Sequence, residues 1–100
     1  MRASVRLYLA GDGDLVFLEK EVKFSSLPRV GEFVKLKSKE LGNYFAIRVA
    51  EITHVEEGTP DVMLETLDLP PSAELDEYIA SYRKEGSTLR SRKRQSRKPH

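Results

Sequence analysis

Leu-Pro-Arg-Val-Gly-Glu-Phe-Val-Lys-Leu, at residues 27–36, is the stretch that decides the fold of this chain. Pro28 disfavours helical geometry in the residue before it, and Gly31 permits a sharp corner. After the corner, Val34 and Leu36 alternate with lysines, which is the period of a strand with one buried face. The stretch therefore predicts a corner that leads directly into a short strand near residues 31–37.

The segment after the polar loop 38–43, Tyr44–Val55, predicts a long strand whose apolar parity changes part-way. The apolar residues are first odd-numbered and then even-numbered: Phe45, Ile47 and Val49, then Ala50 and Ile52. A straight strand cannot place both sets on one face, because a shift of one residue reverses every side chain. We therefore expect a β-bulge or a bend around Val49–Glu51, and a bent strand of this kind is typical of small, strongly curved barrels.

Three further segments alternate with the period of a strand. Ser4–Ala10 and Leu15–Phe24 flank the turn sequence Gly-Asp-Gly-Asp and predict a hairpin. Val62–Leu69 predicts a fifth strand. The sequence thus indicates five strands in a mostly antiparallel arrangement.

One helix is predicted near residues 73–85, after the Pro70-Pro71 pair. Ser72 is a candidate N-cap, and Gly86 is a natural stop. The helix carries one apolar stripe, which consists of Leu75, Tyr78, Ile79 and Tyr82. Two interpretations remain open: the stripe caps the barrel, or Tyr78 and Tyr82 dock a partner.

The corner at Gly31, Glu32 and Val34 resembles that of SH3-like small barrels, in particular the Tudor and KOW group, over about residues 4–69. We accordingly predict a mainly β fold: a five-stranded, antiparallel, SH3-like small barrel with one C-terminal helix, an α+β fold being the alternative. The barrel and helix would occupy residues 1–86. Residues 87–100 contain Leu89 as their one apolar residue, so we predict a disordered basic tail.

The resemblance also implies a place to look for a ligand surface, since Tudor readers use grouped exposed aromatic residues. By strand parity the candidates are Tyr8, Phe17, Phe33 and Tyr44. The alternative is that these rings only pack in the core or at the edges of the sheet. The spacing does not decide between the two.

Composition limits the classes of function. One hundred residues make one domain, and the absence of cysteine excludes disulfides and thiolate chemistry. This composition suits a reducing compartment, so we expect a cytoplasmic protein. No apolar run approaches the roughly 18 residues of a membrane span, so we expect no membrane partner.

The charge is divided unevenly along the chain. Residues 83–100 contain eight basic residues and one acidic residue, whereas residues 1–82 contain nine basic and fifteen acidic residues. The basic residues of the last segment are Arg83, Lys84, Arg90, Arg92, Lys93, Arg94, Arg97 and Lys98. Such a cluster is suited to neutralising the phosphates of RNA or DNA with release of counterions. The alternatives are contact with an acidic protein surface, including the protein's own body, and a tail with no specific partner.

Catalytic and metal-binding patterns do not emerge from the sequence. His54 has Glu51, Glu56 and Glu57 nearby, a combination that can serve general acid–base catalysis, but an ordinary histidine at a strand end is the simpler interpretation. We predict no catalytic residue, no metal site and no cofactor.

Two hypotheses of function follow. The first is a non-enzymatic nucleic-acid-binding accessory protein with a basic phosphate-binding tail. The alternative is a protein–protein interaction module, such as a small bacterial adaptor, inhibitor or immunity protein, that uses the acidic body and exposed aromatic residues. The sequence leaves the oligomeric state open, since an exposed edge strand can pair with a second copy.

Overall fold

The computed structural model describes residues 1–37 and 45–94. These residues form seven strands and one helix in the following order: β1 (Arg2–Gly11), β2 (Asp14–Lys23), β3 (Phe33–Leu36), β4 (Phe45–Thr53), β5 (Asp61–Leu64), β6 (Leu67–Asp68), α1 (Leu75–Lys84) and β7 (Thr88–Arg94). The mainly β class predicted from the sequence is confirmed, but the number of strands is seven rather than five.

The strands form one curled sheet in the order β3-β4-β5-β1-β2-β7, with β6 pairing with β1 beside β5. The outermost strands β3 and β7 do not pair with each other within residues 1–37 and 45–94, so the predicted closed barrel is not formed. The curled sheet is compatible with a small-barrel fold, although it is not closed into a barrel. Each outermost strand has one free edge in the described part of the chain, and such an edge is a place where a partner can bind.

The predicted hairpin is confirmed. β1 and β2 pair antiparallel from Arg2 opposite Lys23 to Gly11 opposite Asp14, which leaves a two-residue turn. Both turn residues have positive φ, 52° at Asp12 and 77° at Gly13. Positive φ at both positions is the requirement of a type I′ turn, whose twist matches that of the two strands.

The corner and the bulge are also confirmed. Gly31 has a φ of 90°, and its N–H donates to the carbonyl oxygen of Val49 at 2.9 Å. The strand after the corner is shorter than the predicted 31–37. In the pairing of β4 with β5 the register shifts between Val49 and Glu51, so Ala50 is the extra residue of the bulge.

The single strand predicted over Val62–Leu69 is corrected, because this segment forms two short strands, β5 and β6. β5 pairs antiparallel with β4, as a mostly antiparallel sheet predicts, but both β5 and β6 run parallel to β1. The apolar residues change from even to odd numbering between Leu64 and Leu67, which the break at Glu65 and Thr66 accommodates. β5 lies between β4 and β1 in the sheet, and a parity pattern alone does not specify which neighbours a strand will have.

The core lies between the concave face of the sheet and α1. Its buried apolar residues come from β1 to β5 and from the helix: Ala3, Val5, Leu7, Leu9, Val16, Leu18, Val34, Leu36, Ile47, Val49, Val62, Leu64, Leu75, Ile79 and Tyr82. Leu75 and Ile79 pack as the capping interpretation predicts. The helix is shorter than predicted and its N-cap is Glu74 rather than Ser72, with no capping hydrogen bond from the Glu74 side chain to the described residues.

The prediction that residues 87–100 are disordered is corrected for Thr88–Arg94, which form β7 and pair antiparallel with β2. The segment cannot build a core alone, but β2 supplies backbone hydrogen-bond partners and Leu18 lies opposite Leu89. The composition of this segment could not predict its pairing, because the strand edge that it pairs with belongs to β2, in another part of the chain. Residues 95–100 lie outside the described part.

Candidate functional site

The strand β7 carries four of the predicted phosphate-binding residues at one edge of the sheet. Its register with β2 shifts between Phe17 and Leu18, which leaves Arg90 as an extra residue. Beyond the shift, Ser91 lies opposite Phe17 and Lys93 opposite Leu15. Because opposed residues share a face, these two pairs lie on the outer, convex face, whereas Arg92 lies on the face of the helix.

Arg92 joins three elements. Its Nε donates to Oδ2 of Asp14 at 2.7 Å, and its Nη1 donates to Oδ1 of Asp76 at 2.5 Å. The hydrogen bond to Asp76, followed by that to Asp14, raises the pKa of the Arg92 guanidinium above its ordinary value. The side chain thus links β7 to the beginning of β2 and to the first turn of α1.

A second group of charges crosses the outer face. Oε1 of Glu19 accepts a hydrogen bond from Nε of Arg90 at 3.1 Å and lies 3.0 Å from Nη2 of the same guanidinium. Oε2 of Glu19 lies 3.7 Å from Nε of Arg6. Nη2 of Arg6 also pairs with Oδ2 of Asp61 at 3.2 Å. The two carboxylates are therefore matched by two guanidiniums, and the network joins β5, β1, β2 and β7.

The remaining cations of the predicted set have different surroundings. Lys93 and Arg94 are exposed and make no ion pair with the residues that the structure describes. Arg83 and Lys84 are exposed in the last turn of α1. Arg97 and Lys98 lie outside the described residues. The structure therefore separates Arg90 and Arg92, which hold β7 to the body, from Lys93 and Arg94, which point to solvent.

Those candidate aromatic residues that the structure describes do not meet in one cage. The rings of Tyr8 and Phe17 stack with centroids 5.0 Å apart and an angle of 12° between their planes. Phe33 is 60% exposed on β3, beneath the guanidinium of Arg48 at 5.3 Å, and two strands lie between β3 and the strand of Tyr8. Tyr44 lies outside the described residues.

The helix tyrosines differ in burial. Tyr78 is half-buried, whereas Tyr82 is fully buried, so Tyr82 cannot dock a partner as the alternative interpretation required. The hydroxyl of Tyr82 has no hydrogen-bond partner among the described residues. Burial, with a smaller contribution from Tyr78, raises the pKa of Tyr82 to about 12.

Sequence reasoning missed a groove on the outer face. The groove has a volume of about 410 Å³. Its lining residues come from β1, β2, β4, β5 and the break after β5: Tyr8, Leu15, Ala50, Met63, Leu64, Glu65 and Thr66. It lies where the bulge of β4 and the break between β5 and β6 come near the β1–β2 hairpin. The parity change at Ala50 predicted a bend in β4, and the parity change between Leu64 and Leu67 was a second available signal. Neither signal shows that the two places are neighbours in the sheet.

His54 is exposed directly after β4. Within residues 1–37 and 45–94, no group of three or more His, Cys, Asp or Glu side chains is placed to hold a metal ion. No helix in this part of the chain is long and apolar enough to cross a bilayer.

Comparisons of the chain with models of known protein families, with curated proteins and with solved structures gave no match. The resemblance to SH3-like barrels of the Tudor and KOW type therefore stays a prediction, which rests on the corner at Gly31 and on the curled sheet.

Proposed function

We propose that this chain is a non-enzymatic nucleic-acid-binding accessory protein whose contact surface is the cationic edge formed by β7. Lys93 and Arg94 would bind phosphates first, and Arg97 and Lys98 would extend the contact along the chain. Arg83 and Lys84 supply further positive charge from the end of α1.

One observation carries the proposal: Lys93 and Arg94 are exposed at a sheet edge and make no ion pair with the described residues, although fifteen of the sixteen acidic residues lie in residues 1–82. Guanidinium and ammonium groups in this state are available to phosphate without first losing a carboxylate partner.

The edge position supports the same proposal. Successive residues of a strand point to opposite faces, so Lys93 lies on the outer face and Arg94 on the other. A phosphate backbone that follows the edge of β7 can contact both side chains. Arg90 and Arg92 hold the strand in place by their ion pairs to the body.

The test is a binding titration with labelled RNA and DNA oligonucleotides at low salt. The variant Lys93→Gln/Arg94→Gln removes two charges from the β7 edge. The matched control, Lys35→Gln/Lys37→Gln, removes two exposed charges from β3 and its flank at the other end of the sheet. We expect the β7 variant to bind roughly tenfold more weakly than the wild type and the control to bind like the wild type. Failure of the wild type to bind any nucleic acid, or equal weakening in both variants, would refute the proposal.

A second candidate is the protein-interaction module, and one observation favours it. Phe33 and Val30 are 60% and 61% exposed at the edge of β3 that has no strand partner among the described residues. Exposed apolar side chains at a strand edge are suited to a protein partner. A stoichiometric protein partner that survives nuclease treatment and is lost in Phe33→Ser would support this function. Capture that is unchanged in Phe33→Ser would exclude this edge.

A further inference from the structure

We propose that the groove on the outer face receives unpaired bases, so that the nucleic acid bound by this chain is single-stranded. The inference rests on the proposed function and deepens it. The phosphates would lie along β7, and the bases would reach across the face toward β5.

The aromatic pair and the groove are contiguous, because Tyr8 belongs to both. Tyr8 stacks on Phe17 on one side and lines the groove together with Leu15 and Met63. Aromatic rings on an open sheet face are what unpaired bases stack upon, whatever their sequence. A volume of about 410 Å³ is in the range of pockets that hold small ligands, so it has room for a base.

The charges place the sugar–phosphate backbone on the β7 side of the groove. Lys93 lies directly opposite Leu15 in the pairing of β7 with β2, so a cation stands one strand away from a residue of the groove lining. Glu19 and Asp61 lie on the same face, but Arg90 and Arg6 pair with them. These two carboxylates therefore oppose a phosphate much less than unpaired carboxylates would.

The polar part of the lining determines on which side of the groove the bases lie and on which side the phosphates lie. Glu65 and Thr66 are exposed in the break between β5 and β6. A carboxylate and a hydroxyl accept hydrogen bonds from the amino and imino groups of a base, whereas the carboxylate repels a phosphate. Bases are thus favoured at Glu65, and phosphates are favoured at Lys93.

A duplex does not meet these requirements. Its bases already stack on one another and pair across the helix axis, so they cannot lie against Tyr8 unless they are first extruded. The geometry consequently predicts a preference for single strands over duplexes of the same sequence, in addition to the dependence on salt.

The experiment measures the affinity of the full chain for a labelled single strand and for the corresponding duplex at one low salt concentration. Two variants address the groove. Tyr8→Leu keeps an apolar side chain but removes the ring, and Thr66→Met replaces the hydroxyl at an exposed lining position by a longer side chain that has no ring. Phe33→Leu is the control, since it removes an exposed ring outside the groove. Thermal unfolding of each variant shows that it is folded.

We expect the wild type to bind the single strand more tightly than the duplex. Tyr8→Leu and Thr66→Met should each lose roughly tenfold in affinity for the single strand, with duplex affinity unchanged and Phe33→Leu like the wild type. Equal wild-type affinity for both forms, or single-strand binding that a folded Thr66→Met leaves unchanged, would overturn the inference while the salt-sensitive contacts of β7 remain. If the wild type binds neither form, the proposed function itself fails.

Discussion

Tyr82 brings a hydroxyl into the core without a hydrogen-bond partner among the described residues. The periodicity of the helix identified its position on the apolar stripe, but it did not show how deeply the side chain lies. That depth depends on how the sheet curls over α1, which is a property of the whole fold. The depth of burial decides whether Tyr82 packs in the core or docks a partner, and full burial favours packing in the core.

Replacement of Tyr82 by Phe tests this interpretation of the residue. Removing a buried hydroxyl that lacks a partner removes a desolvation cost without breaking a hydrogen bond. We expect the free energy of unfolding at neutral pH, measured by urea denaturation, to stay the same or to rise by about 1 kcal/mol. A decrease of more than about 1 kcal/mol would mean that the hydroxyl makes a stabilising interaction.

The same residue predicts a dependence of stability on pH. The pKa of Tyr82 is raised to about 12 in the folded protein, from an ordinary value of 10.0. The unfolded chain therefore loses the tyrosine proton first as the pH rises. The contribution of Tyr82 is fully present below pH 10 and is lost as the pH rises to about 12.

Urea denaturation across this range gives the measurement. The difference of about two pH units between the two pKa values corresponds to a loss on the order of 2–3 kcal/mol relative to Tyr82→Phe, which lacks the titrating group. Parallel stability curves for the two proteins would show that the Tyr82 hydroxyl titrates as it does in the unfolded chain.

At the scale of elements, the hairpin, the corner, the bulge in β4 and the helix could be predicted because local signals specify each of them. Asp12-Gly13 encodes the turn, and the parity change at Ala50 encodes the bulge. β7 could not be predicted in this way. Most of its side chains are polar, and its stability comes from the edge of β2 and from carboxylates distant in sequence.

The attachment of β7 by Arg92 gives an element-scale prediction. Arg92→Gln breaks the ion pairs to Asp14 and Asp76, whereas Arg94→Gln removes the same charge from a side chain without an ion pair to the described residues. Exposed pairs contribute up to about 1 kcal/mol each, so we expect amide hydrogen exchange in β7 to accelerate several-fold in Arg92→Gln. Amide exchange in β7 of Arg94→Gln should equal that of the wild type. Similar exchange in both variants would show that the ion pairs of Arg92 do not hold β7 to the body.

At the scale of the whole molecule, the sequence predicted the mainly β class and the burial of one helix face. It did not predict that β5 would enter between β4 and β1 with a parallel orientation, or that the barrel would remain open. Strand order depends on long-range pairing, and the alternation of a single strand carries no information about its partner. The candidate site follows from this order, because its cations and its groove come from strands that only the topology brings together.

The central claim is that Lys93 and Arg94 contact phosphates, and the dependence of binding on salt tests it most directly. For a single strand, each neutralised phosphate contributes about 0.7 to the slope of log affinity against log salt concentration. We predict that Lys93→Gln/Arg94→Gln lowers the magnitude of this slope by about 1.4, while Lys35→Gln/Lys37→Gln leaves the slope at the wild-type value. Equal slopes for the wild type and the β7 variant would contradict the account.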